Sequence, residues 1–337
     1  MEVATTYPAV SAQTDATIPL YERFPALRRL PRVSLCALPS PVEPLNGMGG
    51  PAELWIKRDD LNAPGCAGNK VRALEFLLGG VRRGDTVLTV GGAGSTHILS
   101  TATHAARIGA TMVALRWAHD MNPVADLIAG RIAEMVPGAR VARSSLLTIA
   151  RARLRHATSD VRYIPLGGST PLGILGHVNA ALELAAQIES GEMPVPQSIV
   201  LPLGSGGTVA GMALGLAIAG SSIEVIGARV GPRLFVNRTR VLGLARRTAR
   251  LIRKITGEAM PVVDPRGVRV VHHVFGGAYG RPLATADRAA AMLEAYSGIR
   301  LDSTYSAKAF AAALDETKTA RGPILFWLTF DARCLTS

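Results

Sequence analysis

Apolar segments of two kinds alternate along most of the chain. Short apolar runs such as 86–90 and 198–203 contain no charged position, which is typical of strands buried on both faces. Each of these runs ends in glycines, and a segment with apolar positions at helical spacing follows it. Strand, glycine turn, helix and strand in this order form the βαβ pattern, so the chain is predicted to form parallel sheets covered by helices.

The predicted elements extend from residue 53 to residue 329. Strands are predicted at 53–57, 86–90, 110–115, 140–142, 198–203, 224–229, 268–271 and 323–329. Helices are predicted at 70–78, 100–107, 131–135, 151–155, 175–189, 209–219, 284–296 and 307–314. A length of 337 residues exceeds a typical single domain, so we expect two domains or one α/β unit with two lobes.

Composition narrows the class of protein. With 48% hydrophobic and 18% charged residues, the chain can bury a sizeable core. Cys36, Cys66 and Cys334 are too few and too far apart in sequence for a disulfide scaffold, and none belongs to a CxxC pair. No signal-peptide pattern or membrane-length apolar run is found, and residues 1 to about 18 are predicted to form a loose arm. We therefore predict a cytoplasmic protein with no membrane span and no metal site.

The net charge of +12 is concentrated in arginine, and one cluster of basic residues stands out. Seven basic residues between Arg238 and Lys254 are interleaved with apolar residues at near-helical spacing. The pattern indicates an amphipathic helix with a solvated basic face, and contact with nucleic acid or another anionic surface is the alternative. Because few aromatic residues lie among the arginines, the sequence gives little support to a nucleic-acid partner.

The glycine-rich segment from Gly204 to Thr208 joins a buried strand to a helix. Its glycines allow several backbone N–H groups to turn toward one anion, the helix N-terminus adds its positive dipole end, and Ser205 and Thr208 add hydroxyl donors. The segment lacks the Walker A lysine and the GxGxxG spacing, so a nucleotide is not the first expectation. A single phosphate fits this pattern, and an ordinary tight turn is the alternative.

Lys70 follows a short glycine turn and opens an apolar helix. Such a lysine would lie at the mouth of a packed layer, where desolvation lowers the amine pKa, so it is a candidate Schiff-base lysine. On spacing alone, a solvated surface lysine is the commoner outcome. The turn from Gly91 to His97 also follows a predicted strand, and Ser95, Thr96 and His97 offer groups for a carboxylate or a proton relay, or ordinary helix caps.

A phosphate loop, an imine lysine and a hydroxyl-rich turn together suggest pyridoxal 5′-phosphate, which needs a lysine for its aldehyde and a nest for its phosphate. At this point the chain resembles the 1-aminocyclopropane-1-carboxylate (ACC) deaminase and D-cysteine desulfhydrase family. The resemblance rests on Ile56-Lys57-Arg58-Asp59-Asp60-Leu61, Gly68-Asn69-Lys70-Val71-Arg72, Gly167-Gly168-Ser169 and Ser205-Gly206-Gly207-Thr208. It implies an α/β protein with two open, twisted parallel-sheet domains of the fold-type II kind. The implied larger domain comprises 1–72 and 172–337, and the smaller one 73–171.

The resemblance also implies a role for each matching residue. Lys70 is the imine lysine that moves the substrate α-proton, and Ser95, Tyr279 and Tyr305 complete the implied catalytic set. The implied cofactor ligands are Asn69, Lys70, Thr96, Gly204, Ser205, Gly206, Gly207, Thr208 and Ser306. The implied substrate ligands are Ser95, Thr96 and His97. A homodimer is implied as well.

Several departures from the family pattern bear on the reaction. Thr96 replaces an asparagine that bonds the cofactor's 3′ oxygen, and 328–331 replace a His-Thr-Gly-Gly run. Ser306 is uncharged where the ACC deaminases carry a glutamate, which favours β-elimination over ring opening, and His97 resembles the desulfhydrase sequence. We therefore expect α-proton removal and β-elimination from a small amino acid, giving pyruvate and ammonia as from D-cysteine. The alternatives are a β-substituting synthase, an ACC deaminase-like enzyme and a non-catalytic basic binding protein.

Overall fold

The computed structural model describes residues 17–335, so most of the arm predicted at the N-terminus lies outside the described residues. Within that range the strands are β1 (Val42–Pro44), β2 (Leu54–Arg58), β3 (Thr86–Gly92), β4 (Thr111–Trp117), β5 (Val141–Ala142), β6 (Arg162–Ile164), β7 (Ser198–Leu203), β8 (Glu224–Arg229), β9 (Val268–Val271) and β10 (Ile324–Leu328). The helices are α1 (Pro19–Arg23), α2 (Asn69–Leu77), α3 (Thr96–Arg107), α4 (Pro123–Met135), α5 (Ser145–Thr158), α6 (Pro171–Glu189), α7 (Gly207–Ile218), α8 (Arg238–Thr256), α9 (Ala284–Ser297) and α10 (Ser306–Thr317).

These strands form two sheets. The larger sheet has six strands in the order β1-β2-β10-β7-β8-β9, and the smaller has four in the order β5-β4-β3-β6. The pairs are parallel, which confirms the α/β prediction, except that β1 joins the edge of the larger sheet antiparallel to β2. The smaller sheet is drawn from 86–164, and the larger sheet from 42–58 and 198–328. The implied division into a discontinuous larger domain and a smaller domain stays a prediction.

Four helices begin earlier than the apolar spacing predicts. Helices α3, α4, α5 and α6 start at residues 96, 123, 145 and 171 rather than 100, 131, 151 and 175. Each is preceded by a side chain that accepts a hydrogen bond from a backbone N–H of the first turn: Ser95, Asn122, Ser144 and Thr170. Such caps start a helix on polar residues, so its first turn carries no apolar signal. The turn predicted from Gly91 to His97 is corrected accordingly, because Thr96 and His97 are helical.

The larger sheet is covered on both faces by apolar side chains that alternate along its strands. On one face Leu201 and Trp327 join the cluster that contains residues of α6 and α7, and on the other Val200 and Phe326 join residues of α9 and α10. Strands β7 and β10 are buried along their whole length. Burial on both faces explains why these strands read as continuous apolar runs.

Helix α8 is the arginine-rich helix that the sequence predicts. Its buried residues include Val241, Leu244 and Ile252, whereas most of its arginines are exposed. The structure therefore confirms an amphipathic helix with a solvated basic face. Among residues 17–335, no helix has both the length and the apolar character needed to cross a membrane.

Candidate active site

Lys70 lies in the first turn of α2, after a turn that only glycine can make. Gly68 has a φ of 135°, and a Cβ there would lie 2.3 Å from the Thr329 carbonyl oxygen. The Asn62 side chain holds the Gly68 backbone on both sides, accepting from its N–H at 3.0 Å and donating to its carbonyl at 3.1 Å. Asn69 donates its backbone N–H to the Thr329 carbonyl at 3.1 Å. The end of β10 thus fixes the turn that presents Lys70.

A buried ionic network anchors α2, the helix that carries Lys70. The Arg72 guanidinium donates to both carboxylate oxygens of Asp59 and, at 2.9 Å, to Glu183 on α6. Lys57 Nζ lies 2.7 Å from the same Glu183 carboxylate, and Trp327 Nε1 donates to Asp59 at 2.8 Å. All five side chains are buried. Because every charge has an opposite partner, the network locks α2 to α6 and to β10.

The Lys70 amine has an unusual environment. It makes no hydrogen bond or ion pair with any residue between 17 and 335, and burial lowers its pKa to about 8. Two buried histidines are close enough to be influenced by its charge. Burial first, and Lys70 second, lower the pKa of His97 to about 3 and that of His177 well below its ordinary value. Lys70 therefore lies near two neutral imidazoles and has no acidic partner in the described part of the chain.

Both histidines leave a ring nitrogen available. Thr89 Oγ1 donates to the Ile164 carbonyl at 2.7 Å and lies 3.0 Å from His97 Nε2, so Nε2 carries the His97 proton. The Nδ1 atoms of His97 and His177 are buried and have no hydrogen-bond partner among the described residues. Buried polar atoms are nearly always satisfied. These two unsatisfied Nδ1 atoms therefore indicate a site that binds a polar ligand.

The predicted phosphate loop leads from β7 into α7, a helix of twelve residues. Its N-cap, Gly206, has a φ of 94°, and a Cβ on Gly207 would lie 2.6 Å from Ser169 Oγ. The Ser169 hydroxyl donates to Ser205 at 2.7 Å, so a second glycine turn packs against the loop. The Asn69 side-chain amide donates to Thr208 Oγ1 at 2.8 Å. The structure therefore brings the anion loop and the residue before Lys70 into direct contact.

Tyr279 and Tyr305 form a pair between two glycine turns. Their hydroxyls are hydrogen-bonded to each other, and their rings meet edge to face with centroids 5.9 Å apart. A Cβ on Gly204 would lie 3.4 Å from the Tyr305 ring, and one on Gly92 would lie 3.3 Å from the Tyr279 ring. Burial raises the pKa of Tyr279 to about 12 and raises that of Tyr305 well above its ordinary value. Both hydroxyls are therefore protonated at neutral pH.

Three other predicted site residues have visible structural partners. Ser95 caps α3, its hydroxyl accepting from the Ile98 N–H at 3.4 Å, and Thr96 is the buried first residue of that helix. Ser306 begins α10 and is fully buried, with its hydroxyl 3.4 Å from Thr329 Oγ1. These contacts leave the implied roles of Ser95, Thr96 and Ser306 as predictions. Ser95 and Thr96 lie at a helix start that would suit an anion, whereas the Asp302 carboxylate already accepts the backbone N–H of Ser306 at 3.0 Å.

Two residues of the site were missed in the sequence. His177 lies on α6 among apolar neighbours, 3.5 Å from Thr208 Oγ1, and Asn62 holds the Gly68 turn. A histidine at an interior position of an apolar helix is the signal that points to His177. Asn62 carries no comparable signal, because an asparagine in a turn is ordinary.

Most of the chain is similar to proteins of known family. A family model described as pyridoxal-phosphate dependent enzyme matches residues 33–329. The chain belongs to this enzyme family. Its membership confirms the cofactor that the resemblance implied, and the alternative of a non-catalytic basic binding protein is wrong.

Similar proteins narrow the group within this enzyme family. The nocardicin C-9′ epimerase of Nocardia uniformis subsp. tsuyamanensis is 37% identical over 321 residues, covering 90% of this chain and 94% of the relative. A D-cysteine desulfhydrase of Salmonella newport is 32% identical over 330 residues, covering 92% and 96%. The solved structure of an ACC deaminase homologue superposes with a TM-score of 0.74 at 28% identity and covers 93% of this chain and 95% of that one. The predicted fold-type II relationship is confirmed.

The residues on this site fit pyridoxal phosphate. Lys70 has an amine of lowered pKa that no described residue binds and that would hold the aldehyde, and the loop from Gly204 to Thr208 would hold the phosphate in a glycine cradle that an added Cβ at Gly207 would obstruct. The pyridoxal-phosphate enzyme thus has a donor set for each end of the cofactor. Among the described residues, no group of three or more histidine, cysteine or acidic side chains could hold a metal ion.

Proposed function

We propose that this enzyme removes the α-proton of a small amino acid with Lys70 and then releases its β-substituent. With D-cysteine and water, the products would be pyruvate, ammonia and hydrogen sulfide. The observation that carries the proposal is the Lys70 amine, which lies in the family's lysine motif with no ionic partner between residues 17 and 335. When bound, pyridoxal phosphate supplies an electron sink that acidifies the α-carbon.

Lys70 is suited to act as a base near neutral pH. An ordinary lysine amine, with a pKa of 10.5, would keep its proton, whereas an amine with a pKa of about 8 is deprotonated in an appreciable fraction of molecules. The imidazoles of His97 and His177 are neutral and much less basic than the Lys70 amine, so they do not compete with Lys70 for the α-proton. Nζ of Lys70 is therefore the atom that would accept the α-proton.

The Tyr279–Tyr305 pair is suited to donate a proton. A phenol whose pKa is raised to about 12 stays protonated and can only donate at neutral pH. Asp302 accepts the backbone N–H groups of Tyr305 and Ser306, at 2.7 and 3.0 Å, which fixes the start of α10. The pair would protonate the departing sulfur, so that hydrosulfide leaves as hydrogen sulfide.

The N-terminus of α3 is the proposed binding site of the substrate carboxylate. A helix N-terminus offers unpaired N–H groups and a positive dipole end, and Ser95, Thr96 and His97 lie at that terminus. These three residues are buried. Their burial would exclude water from the carboxylate and hold the α-carbon in a fixed position.

Epimerisation at the α-carbon is a second candidate, favoured by the 37% identity to the nocardicin C-9′ epimerase. An epimerase also begins with loss of the proton, but it returns a proton to the other face of the same carbon. A protonated phenol such as Tyr279 or Tyr305 is a suitable donor for that step. The ring-opening and β-substituting alternatives remain predictions.

One experiment separates these reactions. The holoenzyme is incubated in D₂O with D-cysteine, L-cysteine, aminocyclopropane carboxylate, and both enantiomers of alanine, which has no leaving group. Pyruvate, ammonia, deuterium at the α-carbon and the enantiomer ratio are measured, with and without a thiol acceptor. We expect pyruvate from D-cysteine and none with Lys70→Ala. Deuterated mixtures of enantiomers without pyruvate would instead establish epimerisation, and no exchange with any substrate would contradict both proposals.

The control for this experiment is Lys318→Ala. Lys318 lies on the surface and pairs with Asp315 at 2.6 Å. Its removal should leave every product unchanged. A loss of activity in Lys318→Ala equal to that in Lys70→Ala would show that the assay reports general damage to the protein rather than the role of one amine.

A further inference from the structure

Two of the three cysteines meet beside the Lys70 turn, although 268 positions separate them in sequence. The Cys66 and Cys334 sulfur atoms lie 2.8 Å apart, and both side chains are buried. A disulfide requires sulfur atoms about 2.05 Å apart, so the two need to approach by less than ~1 Å. No local sequence pattern indicates this pairing, because neither cysteine belongs to a recognisable motif.

The pair joins two segments that already contact each other. Cys66 begins the turn that leads to Lys70, and Cys334 lies in the short 3₁₀ helix Ala332–Leu335. The backbone between them is hydrogen-bonded twice, from Asn69 to Thr329 at 3.1 Å and from Asp331 to Ala67 at 3.2 Å. A bond between the sulfurs would add a covalent link to these two hydrogen bonds without moving either segment far.

The two thiols are chemically unequal. The two thiols are hydrogen-bonded to each other, and this contact is the largest influence on the pKa of Cys66, which it lowers. The same bond, together with burial, raises the pKa of Cys334. Cys66 is therefore the more readily ionised of the two and would attack first, with Cys334 placed to complete the bond.

We propose that Cys66 and Cys334 form a reversible disulfide that ties the C-terminal segment to the Lys70 turn when the enzyme meets a peroxide. In the first step the Cys66 thiolate attacks one oxygen of hydrogen peroxide, giving a sulfenic acid and hydroxide, which takes up a proton to become water. Cys334 then attacks the Cys66 sulfur and expels the second water. Two thiols and one peroxide thus yield one disulfide and two waters, and a dithiol reverses the change. This modification is independent of the substrate proposed above.

The disulfide would stabilise the folded enzyme. It closes a loop that spans 268 positions, which restricts the unfolded chain strongly. It would also hold Phe330 and Asp331 against the Lys70 turn. Oxidation is thus expected to raise the thermal midpoint.

The test treats the holoenzyme with hydrogen peroxide and maps its peptides without reduction. Each disulfide lowers the intact mass by about 2 Da, the two hydrogen atoms lost. We expect one linked pair of peptides, containing Cys66 and Cys334, that disappears on reduction, together with a higher thermal midpoint. Cys36→Ser is the matched control, because Cys36 is also buried and burial raises its thiol pKa. It should behave as the wild type, whereas Cys66→Ser and Cys334→Ser should form no link.

Two results would overturn the proposal. One is a peroxide-treated wild-type enzyme in which methionines are oxidised while both thiols remain free. The other is a disulfide that involves Cys36. Because the peptide map is read on the wild-type protein, a Cys66 or Cys334 variant that fails to fold does not affect the decision.

Discussion

Glu183→Gln tests whether the buried network beneath Lys70 stabilises the fold. Glu183 receives Lys57 at 2.7 Å and Arg72 at 2.9 Å, and it also accepts the Ser40 backbone N–H at 3.0 Å. These contacts, with the charge of Arg72 the largest favourable one, outweigh burial and hold the pKa of Glu183 at about 2. Glutamine keeps the shape of the side chain but turns an amide nitrogen toward groups that are themselves donors.

The expected loss follows from that pKa. The ordinary value is 4.5 and the folded value about 2, and each pH unit corresponds to about 1.4 kcal/mol, so ionised Glu183 contributes about 3 kcal/mol at neutral pH. Removing one partner of a buried ion pair costs a similar ~3–5 kcal/mol. Because the folded pKa is the lower one, this contribution is complete above pH 4.5 and is lost as the pH falls toward 2.

Urea unfolding followed by tryptophan fluorescence measures the effect, since Trp327 bonds to Asp59 within the network. We expect Glu183→Gln to lower the unfolding free energy by about 3 kcal/mol at pH 7, and the gap to the wild type to narrow below pH 4.5. Glu189→Gln, at the exposed end of the same helix, is the control. A gap below about 0.5 kcal/mol at pH 7, or one that is equal at pH 7 and pH 3, would refute the reasoning.

Three further predictions concern the site itself. Gly207→Ala should weaken cofactor binding at least tenfold, because its Cβ would lie 2.6 Å from Ser169 Oγ. Gly243→Ala is the control and should not weaken binding, because its Cβ meets nothing within 4 Å. Equal cofactor affinities of the two variants, measured by fluorescence titration, would contradict this prediction. Tyr305→Phe should lower kcat by roughly 10²-fold or more with the cofactor still bound, and an unchanged kcat would remove the phenol from the reaction. In the cofactor-free protein, Lys70→Met should raise the thermal midpoint at pH 7. This gain should shrink between pH 8 and 10.5, where folded Lys70 is already neutral and the unfolded lysine is still charged, so a gain independent of pH would show that its burial carries no cost.

The elements that the sequence predicted best are those whose signal is local. Strands β7, β8 and β9 lie where their apolar runs indicated, because burial of a strand is visible residue by residue. The helix starts were placed late because capping residues such as Ser95 and Thr170 look the same whether they cap a helix or bind a ligand. Helix start signals were therefore present but ambiguous.

The features that the sequence could not give depend on distant parts of the chain. Glu183 lies 111 positions from Arg72, and nothing in either neighbourhood indicates that the two form an ion pair. The same holds for Cys66 and Cys334, and for the contact between Asn69 and Thr208 across 139 positions. The lysine, the phosphate loop and the hydroxyl-rich turn together predicted one cofactor site, and the resemblance to a family supported it. Their contact through Asn69 is a finding of the structure.

The most direct test of the central claim is to identify the lysine that binds the cofactor. The purified enzyme is loaded with pyridoxal phosphate, reduced with borohydride to make the lysine–cofactor bond permanent, digested and analysed by mass spectrometry. Lys308 is an internal control, because burial also lowers its pKa to about 8 but it donates to the Phe275 carbonyl at 3.0 Å. The account predicts the label on Lys70 and no label on Lys308. A label on Lys308 or Lys57, or equal labelling of a Lys70→Ala variant, would contradict it.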